Sequence, residues 1–219
     1  MNHYPEIFQA TDSRCLSDRL FHEDNMYAYV ESYAADHGML QTSQVLPYAR
    51  NLHNGQTRKG HDHVPYIYHP LLVACHAIAL GLGDDDLVSA ALLHDVCEDC
   101  GITPEELPVN EPTRRAITLL TNRNGKAPEV LDRYFAGIAS NRIATMVKLI
   151  DRCNNVSEMA SAFPADKMRI YIEETERWVY PLIKYAKKVY PECEAQIFVI
   201  QYHLKSVMET VKHMLGEVV

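Results

Sequence analysis

The spacing of apolar residues along the chain predicts helices, and no segment shows the strict alternation that marks a β-strand. The clearest pattern covers 141–159, where apolar residues recur three or four positions apart. A stripe of this kind is typical of an amphipathic helix that packs against a core. We therefore predict an all-α fold.

Capping and breaking residues divide the rest of the chain into further predicted helices. Proline, glycine and short acidic runs mark most of their ends. The predicted helices cover 26–35, 42–52, 70–80, 84–100, 111–120, 128–138, 141–159, 166–190 and 192–215. Residues 1–25 are expected to be irregular, and Pro181 is expected to bend or interrupt the helix that contains it.

Composition narrows the possible partners. The 219 residues carry 21 basic and 29 acidic side chains, a formal net charge of −8, which argues against nucleic acid or an anionic membrane as the main partner. No apolar run approaches the roughly 18 residues of a membrane span, and the first residues lack the features of a signal peptide. Six irregularly spaced cysteines are typical of reduced thiols, so we expect a cytoplasmic protein.

Four ionisable residues directly follow the apolar run 90–93: His94, Asp95, Glu98 and Asp99. On one continuous helix, residues four positions apart share a face, so the four side chains would lie together. Carboxylates in an apolar neighbourhood are unfavourable unless a cation lies among them. A divalent metal ion would supply that cation; a solvated acidic helix end is the alternative.

Two further residues on other predicted helices extend the candidate metal site. His69 precedes Pro70 at a helix start, and Asp151 lies on a helix that is otherwise apolar at its core positions. Two imidazoles and two carboxylates form a mixed nitrogen and oxygen site that suits manganese, iron, zinc or magnesium. Alternatively, the backbone could satisfy His69, and Asp151 could form a structural ion pair with Arg152 or Arg142.

Several ordered motifs in 53–190 give the sequence a family likeness. They are HNGQTRK at 53–59, PYIYHP at 65–70, ALLHDVCED at 91–99 and VKLIDRCNN at 147–155, followed by ET at 174–175 and YPL at 180–182. With these motifs the chain resembles the HD-domain hydrolases of the RelA/SpoT alarmone family, in particular the small stand-alone members.

The resemblance implies a helical HD-domain bundle with a metal site between its helices. It implies that the metal ligands are His69, His94, Asp95 and Asp151. It also implies a catalytic acidic pair, Glu98 and Asp99, and substrate contacts at Arg58, Lys59 and Asn155. The family usually holds manganese. We expect the domain to span 41–190, with an accessory segment at 1–40 and a C-terminal helix at 191–219 packed on the same domain.

The implied reaction is removal of the 3′-diphosphate from guanosine 3′,5′-bis(diphosphate) or its pentaphosphate relative, which makes a small nucleotide the expected partner. The planar fork of Arg58 suits a phosphate group, and Glu98 and Asp99 suit proton transfer. Two alternatives stay open: a phosphohydrolase that acts on another nucleotide, and a nucleotide-binding module without catalysis. The sequence leaves the oligomeric state open.

Three features depart from the family pattern. The loop between Arg58 and His69 is two residues longer than usual, Asn154 replaces a common histidine, and Glu158 stands where a small hydroxyl residue is frequent. The loop and Glu158 lie where the guanosine would bind. We therefore expect weaker discrimination against adenine nucleotides.

Overall fold

The computed structural model describes residues 22–58 and 64–217, and these residues form helices and their connections. We label the α-helices in chain order as α1 (Glu23–Asp36), α2 (Leu40–Leu52), α3 (Tyr68–Ala79), α4 (Asp85–Leu93), α5 (Val96–Asp99), α6 (Glu111–Leu120), α7 (Pro128–Ala139), α8 (Arg142–Ala162), α9 (Ala165–Glu174), α10 (Tyr180–Val189) and α11 (Glu194–Met214). Short 3-10 helices cover Pro104–Glu106 and Pro191–Cys193. The all-α prediction is confirmed for the described residues.

Helix α4 lies at the centre of the bundle. It packs against α2, α3, α6 and α8, and every residue from Leu87 to Leu93 is buried. A helix with apolar residues on all sides is stable only when other helices surround it. Because α4 is enclosed in this way, its C-terminal end and the turn that follows lie deep in the protein.

Helix α8 is the longest of the helices that pack against α4. It packs against α3, α4, α6, α7 and α11, and Met146, Leu149 and Ile150 are fully buried. These residues belong to the stripe predicted from the sequence. The helix therefore presents its middle section, which contains Asp151, to the interior.

Two local expectations are wrong. The predicted helix over 84–100 is not continuous, because α4 ends at Leu93, a turn follows at His94 and Asp95, and the short α5 begins at Val96. Residues 23–25, expected to be irregular, form the first turn of α1, where the Nδ1 atom of His22 accepts a hydrogen bond from the Asp24 amide at 3.3 Å. The His22 cap and the acidic residues Glu23 and Asp24 in the first turn both favour a helix that starts here.

The interruption near Pro181 is confirmed. Residues Thr175–Val179 form a π-helical segment between α9 and α10, and the hydroxyl of Thr175 donates to the Tyr171 carbonyl at 2.6 Å. Proline has no amide hydrogen and its ring crowds the preceding turn, which favours local widening of the helix.

The first and last described helices, α1 and α11, pack on the same hydrophobic core as the central helices. Met26, Val30 and Ala34 of α1 belong to that core, and α11 packs against α8 and α10. The division at residues 40 and 190 stays a prediction. Among the described residues, no helix is both long and apolar enough to cross a membrane.

Candidate metal centre

Three neighbouring elements bring four predicted ligands together. His69 is the second residue of α3, His94 and Asp95 form the turn after α4, and Asp151 lies in the middle of α8. His69, His94 and Asp151 are all buried. Because α3, α4 and α8 pack on one another, residues far apart in sequence meet at one point.

The ligand atoms of these side chains face one another. The Nε2 atoms of His69 and His94 lie 3.2 Å apart, and His69 Nε2 lies 3.1 Å from Asp151 Oδ1. Asp95 Oδ2 lies 3.2 Å from His94 Nε2 and 3.6 Å from His69 Nε2. Ligands held about 2.1 Å from one ion lie roughly 3.0–3.4 Å from each other in octahedral or tetrahedral geometry.

This donor set fits a divalent cation. His69, His94 and Asp151 each offer an atom, all within 4.8 Å of one another, and Asp95 approaches both imidazoles. The Nδ1 atom of His94 lies 2.8 Å from the Ala91 carbonyl, a contact in which Nδ1–H donates and leaves the Nε2 lone pair for a metal. These residues can hold a divalent metal ion.

The charges of the cluster favour a positive charge among its carboxylates. Burial lowers the pKa of His94, but Asp95 and Asp151 outweigh burial and raise that pKa to about 10. In His69 burial dominates and lowers the pKa. A proton on His94 thus offsets the carboxylates, and a metal ion would serve the same purpose while joining all four donors.

Outer contacts fix the carboxylates. Lys148 Nζ donates to Asp151 Oδ2 at 3.0 Å and Asn155 Nδ2 donates to Asp151 Oδ1 at 2.5 Å, while the Tyr66 hydroxyl donates to Asp95 Oδ2 at 2.7 Å. The alternative ion pair between Asp151 and Arg152 is not formed, because Arg152 Nη2 lies 3.2 Å from Glu174 Oε2. Sequence reasoning missed Tyr66, although it stands three residues before His69.

A pocket of about 640 Å³ adjoins the cluster. Its walls include most of the predicted site residues, namely Arg58, His69, Asp95, Glu98, Asp99, Asp151 and Asn155. They also include five cationic residues that sequence reasoning did not identify as site residues, Arg123, Lys126, Lys148, Arg152 and Lys167. The pocket therefore combines a candidate metal centre, an acidic pair and an array of positive charges.

The acidic pair lies on α5 at the pocket wall. Glu98 Oε1 accepts a hydrogen bond from the Asn122 amide at 2.5 Å. Partial burial raises the pKa of Glu98, although this hydrogen bond opposes the change. The turn at His94 and Asp95 means that Glu98 and Asp99 do not share one continuous helix with α4, as the sequence predicted. Both residues nevertheless line the pocket.

Two of the three predicted substrate contacts can be placed. Asn155 and Arg58 both line the pocket, and Arg58 Nη2 donates to Asn155 Oδ1 at 3.2 Å and to Glu158 Oε2 at 2.7 Å. Lys59 lies outside the described residues, as do residues 60–63 of the lengthened loop. Arg58 thus forms an ion pair with Glu158, one of the residues that depart from the family pattern.

Comparison with known proteins agrees with the resemblance seen in the motifs. No family model matches the chain. It is 29% identical over 164 residues to a guanosine-3′,5′-bis(diphosphate) 3′-pyrophosphohydrolase of Vibrio cholerae, covering 70% of this chain and 23% of that protein. It is 33% identical over 145 residues to a probable enzyme of the same name from Synechocystis, covering 62% and 19%.

A shorter relative matches over most of its own length. The chain is 29% identical over 148 residues to the MESH1 pyrophosphohydrolase of Xenopus tropicalis, covering 64% of this chain and 82% of that protein. By contrast, the chain spans about a fifth of the length of the first curated relatives it matches.

A solved structure shares the fold. It is described as "A metazoan ortholog of SpoT hydrolyzes ppGpp and plays a role in starvation responses" and matches with a TM-score of 0.60 and 18% identity, over 82% of this chain and 97% of that one. The predicted resemblance to RelA/SpoT-type hydrolases and the helical HD-domain bundle are both confirmed.

The convergence of these donors generates a prediction about metal content. The purified protein should carry about one divalent ion per chain. His94→Ala and Asp151→Ala each remove a donor and should lose most of it, as measured by elemental analysis. His213→Ala, at an exposed histidine of α11, serves as the control and should keep the ion; full occupancy in both ligand variants would contradict the assignment.

Proposed function

We propose that this protein is a metal-dependent hydrolase that removes the 3′-diphosphate from guanosine 3′,5′-bis(diphosphate), with GDP and pyrophosphate as products. The observation that carries the proposal is the convergence of His69, His94, Asp95 and Asp151 beside a pocket that also holds Glu98 and Asp99. The relatives that bear this activity in their names match the chain over 164 and 148 residues.

We propose manganese as the resident ion, held by the two imidazoles and two carboxylates. A mixed nitrogen and oxygen donor set suits manganese, and also iron, zinc or magnesium. When bound, a divalent ion lowers the pKa of water and offsets negative charge on a phosphoryl group.

Glu98 and Asp99 are the proposed proton-transfer pair. Burial raises the pKa of Glu98, which favours the protonated form of this carboxyl and suits it to proton transfer. One carboxyl takes a proton from the attacking water and the other protonates the departing ribose oxygen. Lys148, whose Nζ contacts Asp151 and which lines the pocket, keeps positive charge beside the reacting phosphoryl group.

The reaction divides the substrate at one bond. The water oxygen bonds to the phosphorus attached to the ribose 3′ oxygen, and the bond between that phosphorus and the 3′ oxygen breaks. The 3′ oxygen gains a proton, which leaves GDP, and the two phosphoryl groups leave together as pyrophosphate. Asn155, one turn after Asp151 on α8, is the proposed contact to the ribose.

We assign the catalytic unit to 41–190, with the segment before it as an accessory and 191–219 as a helix packed on the same domain. The five cysteines in the described part of the chain are free thiols. Free thiols fit a reducing compartment, and we propose that the protein acts in the cytoplasm.

Product analysis tests the proposed reaction. With manganese present, guanosine 3′,5′-bis(diphosphate) should give GDP and pyrophosphate in equal amounts, with little orthophosphate, when the products are separated by anion exchange. Orthophosphate as the first product would identify a phosphomonoesterase instead. No cleavage by the metal-loaded protein would favour a nucleotide-binding module or another substrate.

Conservative substitutions test the acidic pair. Glu98→Gln and Asp99→Asn keep the side-chain shape but remove proton transfer, so kcat should fall by about 10²-fold or more. Because neither residue is a proposed ligand, the metal content should stay near one ion per chain. Wild-type kcat in both variants would make the pair structural, and loss of the ion would make it part of the metal site.

A further inference from the structure

Helix α11 carries apolar side chains on two opposite faces. It packs against α8 and α10, and the buried residues of this inner face are Ile197, Ile200, Leu204, Met208 and Val211. On the outer face Phe198 is 62% exposed, Val199 47% and Tyr202 69%. A helix that is apolar all round is typically covered on every side. The outer face of α11 therefore has the character of a contact surface.

Phe198 and Tyr202 form the centre of this surface. They lie one helical turn apart, and about 40° from each other around the helix. No residue of α11 lines the pocket beside the candidate metal centre, so the proposed reaction does not account for the exposure of these two side chains. Exposed aromatic side chains are enriched where one protein binds another.

Two opposite charges flank the aromatic pair. Glu194 lies one turn before Phe198, and Lys205 lies about one turn after Tyr202; both are exposed. Measured from the midline of the aromatic pair, they lie about 60° and 40° around the helix in the same sense. Neither forms an ion pair with a described residue, whereas Lys212 on the same helix pairs with Glu176.

A second copy of the helix, packed antiparallel on this face, matches these charges. A two-fold axis level with residue 200 places Phe198 of one copy opposite Tyr202 of the other. Glu194 then lies about 9 Å along the helix from the axis, and Lys205 of the second copy lies about 7.5 Å from it at the same end. Because the symmetry repeats every contact, two such pairs of opposite charge form.

The other acidic groups of this face lie at the ends of the contact. Glu209 comes level with residue 191 of the second copy, before the first residue of its α11, and the acidic residue nearest to that level is Glu192. Both side chains are exposed, so solvent and salt screen their repulsion. The pairs between Glu194 and Lys205 lie nearer the centre.

The exposed area fits a small interface. A covered aromatic side chain buries about 150–250 Å², so the exposed fractions of Phe198 and Tyr202 amount to about 200–330 Å² in each copy. A standard interface buries about 800 Å² per partner. The two aromatic residues thus supply an apolar centre, and the polar residues around them supply the rim.

We propose that the outer face of α11 binds a second copy of this chain across a two-fold axis, with Phe198 packed on Tyr202 and Glu194 paired with Lys205. A second copy fits better than a different protein, because this one face carries both members of the charge pair in the arrangement that a two-fold axis requires. The contact leaves both pockets open, since α11 does not line them.

Sedimentation velocity of the full chain tests the dimer. Over about 1–200 µM the wild type should change from the mass of one chain to the mass of two, as expected for a small interface. Phe198→Ser removes half of each aromatic contact and should raise the dimer dissociation constant at least about tenfold. Ile170→Ser is the matched control: Ile170 lies on α9 and is 52% exposed, and its loss should leave the dimer unchanged.

Charge reversal tests the antiparallel arrangement, and it does so with exposed residues whose substitution leaves the core intact. Glu194→Lys and Lys205→Glu each place like charges together twice and should raise the dissociation constant at least about fivefold. The double variant restores opposite charges and should return to within about twofold of the wild type. Glu173→Lys, at an exposed residue of α9, changes the net charge equally and should have no effect.

Circular dichroism checks that every variant is folded. A mass of one chain at all concentrations of the wild type would overturn the inference, and residues 1–21 or a different protein would then be the occupant of this face. An equal effect of Ile170→Ser, or an unchanged dimer in folded Phe198→Ser, would place the contact elsewhere. Failure of the double variant to recover would contradict the antiparallel pairing. These results do not depend on the proposed reaction, because no measurement uses the substrate.

Discussion

The whole site depends on a cluster of electron-pair donors that repel one another unless a cation lies among them. The Nε2 atoms of two buried histidines lie 3.2 Å apart, and carboxylate oxygens of Asp151 and Asp95 lie 3.1 Å and 3.2 Å from the nearest of them. A buried charge left without a partner costs about 3–5 kcal/mol. The fold must therefore hold these groups in place by packing, and the enclosed α4 provides that packing.

Contacts spread outward from the cluster in two directions. Tyr66 holds Asp95, and Asn155 links Asp151 to Arg58, which in turn binds Glu158. Each contact fixes a side chain that the next one needs. The candidate metal centre and Glu158 are therefore joined by one polar network along α8.

Most helices could be predicted from the sequence because they depend on the local spacing of apolar residues. The candidate ligands could be predicted because they lie in ordered motifs. The apolar stripe of 141–159 predicts α8, and α8 fixes the direction of Asp151. The sequence could not predict the Arg58–Glu158 pair, whose members lie 100 positions apart, because only tertiary packing brings them together. The turn at His94 and Asp95 was missed for a related reason: apolar periodicity continues through it, and packing between α4 and α5 decides where the helix ends.

The most direct test of the proposed metal site is anomalous X-ray scattering from crystals of the manganese-loaded protein. We expect one strong anomalous peak per chain, at bonding distance from the Nε2 atoms of His69 and His94 and from carboxylate oxygens of Asp95 and Asp151. A peak elsewhere in the pocket, or no peak at this cluster under metal-saturating conditions, would contradict it.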